Sequence, residues 1–131
     1  MAACAALFAA APAFAEPPPV GSEDYEILAP FGDWIAAQNQ PGTVVSCCNI
    51  GDGRIVEHRV REGHLQIRFV HPETLPDYPY AHRPAVGQWY PVPDNSILRG
   101  PTGAPIANPT GVDVGWWLGG RILCYAQANE G

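Results

Sequence analysis

Two runs of alternating apolar and polar residues, Arg54 to Val60 and His64 to Val70, flank Glu62-Gly63. Period-two alternation is the mark of a strand with one buried face. The two runs therefore predict a β-hairpin that turns at Glu62-Gly63. In that register Val60 lies opposite Leu65, His58 opposite Ile67 and Val56 opposite Phe69, all on one face. On the other face Glu57 sits opposite Arg68, an attractive cross-strand pair. Alternation and charge select the same register.

The pattern changes upstream. Phe31, Trp34 and Ile35 recur at helical spacing within Pro30 to Asn39, and Pro41-Gly42 ends the run. A short helix is expected there, packed through Trp34. Residues 16–28 are Pro-rich and acidic and read as a flexible lead-in, which leaves 29–128 as one small β-rich domain. Downstream, His71 to Gly87 carries Pro72, Pro76, Pro79 and Pro84, too much proline for a helix or central strand. It reads either as a functional loop or as an ordered flap pinned by its tyrosines. Gln88 to Pro93 is a short strand whose prolines confine it to a sheet edge. Asp94-Asn95 turns, and Gly100 to Gly111 is a turn-rich connection. Val112 to Leu118 and Arg121 to Ala126 are strands joined by Gly119-Gly120. Trp116 and Trp117 are adjacent, so on a strand they point to opposite faces. The expected architecture is mainly β: a small antiparallel sheet or partly open barrel with one short N-terminal helix.

Composition adds a compartment. Residues 1–15 are a short Ala-rich apolar run ending in Ala13-Phe14-Ala15, the small-x-small form cut by signal peptidase. Cleavage before Glu16 and a periplasmic or secreted product are expected, with no membrane insertion afterwards. The cation that normally precedes such a run is missing, which leads us to expect a start upstream of Met1. All thirteen acidic residues follow the cut, against seven arginines and no lysine. A net charge of −6 argues against nucleic acid as the partner.

Cysteine is the best chemical lead. Cys47 and Cys48 are adjacent, and of the other two, Cys4 leaves with the signal, so Cys124 remains. The chain around them resembles a family of small secreted alphaproteobacterial proteins with no assigned activity. The resemblance rests on Trp34, Ser46-Cys47-Cys48-Asn49, Asp52, Trp89 to Pro93, Asn108-Pro109 and Cys124-Tyr125. It implies a compartment and a fold but no function. Members of that group carry Asp-Cys shortly after the Cys-Cys pair, whereas Gly53 follows Asp52 here. The pair thus resembles half of a two-disulfide framework that has lost an anchor.

Three readings of the thiols follow. Cys124 bridges Cys47 or Cys48 and leaves the other cysteine unpaired. Alternatively Cys47 and Cys48 hold a soft metal, although adjacent cysteines chelate poorly and no histidine is close in sequence. The last reading is thiol-redox or nucleophilic chemistry, which wants a nearby cation or base; only Arg54 is near. The structural bridge is preferred. In the hairpin register His58 reads as a satisfied core histidine, with His64, His71 and His82 near the surface.

No phosphate loop, dinucleotide fingerprint, nucleophile elbow or zinc-protease motif is present, so neither catalysis nor a cofactor is expected. Tyr78, Tyr80, His82, Trp89 and Tyr90 cluster around the Pro-rich segment. Exposed aromatics beside a loop suit a binding surface for a protein, peptide or glycan. The function expected is a non-catalytic binding or interaction module stabilised by a disulfide.

Overall fold

A ten-residue strand, β1 (Asp52–Arg61), is the spine of the molecule. The computed structural model describes residues 17–47, 52–75, 82–118 and 120–129. In it β1 runs through the centre of a five-stranded antiparallel sheet that curls into a half-barrel. The other strands are β2 (His64–Phe69), β3 (Tyr90–Pro91), β4 (Asp113–Leu118) and β5 (Arg121–Ala126), in the order β3-β2-β1-β4-β5. The expected mainly β class is the class observed.

The β1–β2 hairpin has the register read from the alternation. Val56 faces Phe69, Glu57 faces Arg68, His58 faces Ile67 and Val60 faces Leu65. The turn places Glu62 at φ 53° and Gly63 at φ 78°. A two-residue hairpin turn of matching twist needs both central residues in the left-handed region, where Gly63 is at no cost and Glu62 is unusual. Glu57 Oε1 accepts from Arg68 Nε at 2.9 Å and Nη2 at 2.6 Å.

Strand β4 covers only the first half of β1, from Asp52 opposite Trp117 to Val56 opposite Asp113. At Gly115 the sheet is tightly packed. A Cβ there would stand 2.9 Å from Val56 Cγ1 and 3.0 Å from Ile67 Cδ1, so glycine is required by space. Between β4 and β5 the pairing slips at Trp116/Trp117. The bulge gives β5 one extra residue, and Leu123 and Cys124 consequently join the same core cluster.

Each sheet face has its own core. One face carries Ile55, Val114, Trp116, Leu123 and Cys124 against Leu28 and Ile35 of the helical segment. The other carries Val56, Ile67, Phe69, Trp117, Ile122 and Tyr125, with Leu75 and Val92 packed on it. Trp116 and Trp117 part as the alternation requires, and both are buried.

The helical segment is longer than the apolar pattern indicated. It runs as α1 (Glu23–Leu28), a 3-10 turn (Ala29–Phe31) and α2 (Gly32–Ala36). The lead-in expected over 16–28 therefore ends at Ser22, whose side chain caps α1 by accepting from Tyr25 N–H at 3.2 Å. Asp24 and Leu28 are fully buried. Asp24 Oδ2 accepts the Ile55 N–H at 2.8 Å, just where β2 runs out and Val70 supplies only the donor to Ile55 O. The proline at position 30 breaks the helix into its two parts instead of starting it.

A disulfide joins Cys47 to Cys124. Of the two pairings left open it is Cys47 that bridges, tying the segment after α2 to β5. Cys47 is thereby unavailable for an adjacent-thiol metal pair. Cys48, expected to be unpaired, lies outside the described residues.

Candidate binding surface

The outer half of β1 continues the face that begins at Ile55, and the side chains change from apolar to charged. Ile55 is covered by the helical layer, whereas Glu57, Arg59 and Arg61 lie beyond it. On the neighbouring strand Gln66 and Arg68 occupy the same face, opposite Arg59 and Glu57. Three of the seven arginines of an acidic chain, Arg59, Arg61 and Arg68, thus gather on one face of the hairpin.

Trp89 lies against this cluster. The guanidinium carbons of Arg59 and Arg68 stand 4.3 and 4.7 Å from its ring centre, within cation–π range. Arg59 Nε donates to Gln66 Oε1 at 2.6 Å, which fixes its direction. Arg59 is easier to deprotonate than an ordinary arginine, first because it has lost solvent and then because Arg61 and Arg68 repel its charge. Beside them a hollow of about 680 Å³ is lined by Arg59, Arg61, Glu62, His64, Gln66 and Pro91.

Across the strand lies a second polar group. Asp113 is buried at the start of β4 and accepts three bonds. His58 Nδ1 meets its Oδ2, Tyr125 Oη donates to the same oxygen at 3.0 Å, and Ala128 N–H donates to Oδ1 at 2.6 Å. Burial, followed by the Asp113 charge and hydrogen bond, pushes the Tyr125 hydroxyl far above the usual tyrosine range. The core role expected of His58 needs correction. Its side chain is 38% exposed, because β4 begins only at Asp113 and leaves this part of β1 uncovered. It is satisfied at the strand edge by a carboxylate of the neighbouring strand, 55 positions away in sequence.

The residues proposed from sequence divide between core and surface. Tyr90 is half-buried, with its ring edge-on to Trp117 at 4.9 Å, and its hydroxyl accepts the Ala85 N–H at 2.7 Å. It is a packing residue. His82 is exposed, and its carbonyl accepts from the Trp117 indole. Trp89 joins the arginines and, among the described members of the set, is the one on the charged hairpin face. Tyr78 and Tyr80 lie outside the described residues. The described ends of the Pro-rich segment are anchored: Leu75 is buried, and Arg83 Nε donates to its carbonyl at 2.7 Å.

Sequence reading missed Arg59 and Arg61 as a cluster. The signal was available in the alternation Glu57, Arg59, Arg61, once Ile55 marked that face as the one shared with the helix. Asp113 carried no local signal; its partner His58 is 55 positions away. Among the described residues no helix is long and apolar enough to cross a membrane. Comparison with family models, curated proteins and solved structures finds no match for this chain.

Proposed function

We propose that this protein is a non-catalytic binding module of the periplasm or extracellular space, and that the charged face of the β1–β2 hairpin is its contact surface. The observation that carries the reading is the gathering of Arg59, Arg61, Arg68 and Trp89 on one bare face of a chain with net charge −6. Like charges held together cost free energy unless an opposite charge relieves them. Arginine and tryptophan are also the residue types that anchor protein interfaces. The buried disulfide suits an oxidising compartment, as does the resemblance to small secreted alphaproteobacterial proteins.

Two measurements test the reading. Fractionation of cells expressing the full chain should place the product outside the cytoplasm, shortened at its N-terminus; retention in the cytoplasm would contradict the compartment. Pull-down from the same fraction should lose its specific partners when Arg59→Glu and Arg61→Glu are introduced. Identical partner lists for both proteins would remove the hairpin face from the function.

A further inference from the structure

The two edges of β1 are not equally paired. In an antiparallel ladder the backbone groups of successive residues point alternately to the two neighbours. Ile55 O accepts from Val70 N–H, so Ile55 points toward β2. By alternation Glu57, Arg59 and Arg61 also point toward β2, in register with Arg68, Gln66 and His64. His58 and Val60 must point the other way, toward the place β4 would occupy. Yet β4 pairs with β1 only as far as Val56. Among the described residues no backbone hydrogen bond reaches His58 or Val60 from that side.

The overhang is a strand edge without a strand partner among the described residues, and its side chains are sorted. Arg59 and Arg61 project on one face, next to Trp89 and the hollow beside it. On the other face Val60 is 68% exposed and His58 is tied to Asp113. A second copy of the chain pairing antiparallel at this edge would set arginines against arginines, which is unfavourable. The chemistry that fits is the reverse: carboxylates opposite the arginines, and apolar side chains over Val60.

We propose that the outer half of β1 takes an extended acidic peptide as an added strand, one whose residues alternate between carboxylate and apolar. The peptide's backbone bonds to His58 and Val60, its carboxylates meet Arg59 and Arg61, and its apolar side chains cover Val60. Backbone bonding supplies affinity and the alternate side chains supply specificity. This inference rests on the reading of the hairpin as the contact surface, and adds the class of partner and its mode of attachment.

A fluorescent synthetic peptide alternating Glu and Val tests it by anisotropy against the full chain. The Glu-Val peptide should bind, while a Lys-Val peptide, and a Glu-Val peptide N-methylated at alternate amides, should bind at least about tenfold more weakly. Val60→Pro removes an outward-facing N–H together with the valine side chain and takes no donor from the β1–β2 ladder, so it should weaken the Glu-Val peptide by a similar factor. The N-methylated peptide gives the same information on unaltered protein if that variant misfolds. If Arg61→Glu weakens binding while Val60→Pro and N-methylation do not, strand addition is wrong and the charged face stands. If all peptides bind alike, or none binds, the acidic strand is wrong, and the pull-down with Arg59→Glu and Arg61→Glu decides separately whether the charged face stands. A dimer in sedimentation that Val60→Pro dissociates would assign the edge to a second copy and overturn the peptide.

Discussion

Strand β1 is two different strands joined end to end. Its first half is flanked by β2 or Asp24 on one side and by β4 on the other, and Gly53 to Val56 are all buried. Even Arg54 is fully buried there, with its guanidinium donating to Thr74 Oγ1, Thr74 O and Gly53 O at 2.8 to 2.9 Å. In its second half β2 is the only strand neighbour among the described residues, and Glu57, His58, Val60 and Arg61 are exposed. The two halves share an alternation and a backbone conformation. What separates them is the point at which β4 and the helical layer stop. Polar side chains in the first half must find partners inside the protein. Those of the second half are free to serve something outside it.

The comparison can be broken from the buried end first. The disulfide closes a separation of 77 residues, worth about 4.5 kcal/mol in the chain-entropy account. Cys124→Ala should lower the melting temperature more than any other change proposed, with dithiothreitol reproducing the loss in the unaltered protein. Gly115→Ala comes next. Its methyl would press on Val56 and Ile67, and overpacking of this kind costs about 1–3 kcal/mol. Chemical denaturation should show the loss, and Val56→Ala should partly restore what Gly115→Ala removes. Tyr125→Phe deletes one of three bonds to Asp113 and should cost about 1.5–3 kcal/mol, the range for a hydrogen bond to a charged group.

A pH series probes the junction between the helical segment and the sheet. Burial raises the Asp24 carboxyl above its ordinary value, against the pull of the Ile55 N–H and the Arg54 charge. His71 is raised chiefly by its hydrogen bond to Glu23 at 2.6 Å. In both cases the folded protein holds a proton that the unfolded chain releases sooner, so stability falls as pH rises. For Asp24 the decline runs from the ordinary carboxylate value up to its raised one. For His71 the contribution is complete below the ordinary histidine value and is lost as pH passes the raised one. Denaturant midpoints should decline across these windows, and Glu23→Gln should flatten the upper part. The smallest stability effect belongs to the outer half of β1. Arg61→Ala should shift the midpoint by no more than about 0.5 kcal/mol, even though it lies in the proposed contact surface. A large loss there would mean that the two halves of β1 do not differ as described.

The hairpin register was legible because three signals coincided: the alternation from Val56 to Phe69, the Glu57–Arg68 pair and the Gly63 turn. The two-faced placement of Trp116 and Trp117 was legible for the same reason. The start of the helix was not found by apolar spacing, because α1 buries Asp24 as well as Leu28. Its signal was capping: Ser22 followed by Glu23, Asp24 and Glu26 in the first turn. Asp113 beside His58, and the end of β4 short of β1, are products of chain meeting across long separations. No local pattern encodes them. The candidate surface was therefore half visible, with Trp89 in hand and its arginines known only as strand residues.

The most direct measurement is residue-resolved hydrogen exchange along β1, with and without the Glu-Val peptide. In the free protein the amides of Glu57 and Arg59 should be protected and those of His58 and Val60 should exchange fast, an alternation that only an unpaired edge produces. With the peptide bound, His58 and Val60 should slow to match their neighbours. Protection of His58 and Val60 in the free protein, or their continued fast exchange in the complex, would contradict the account.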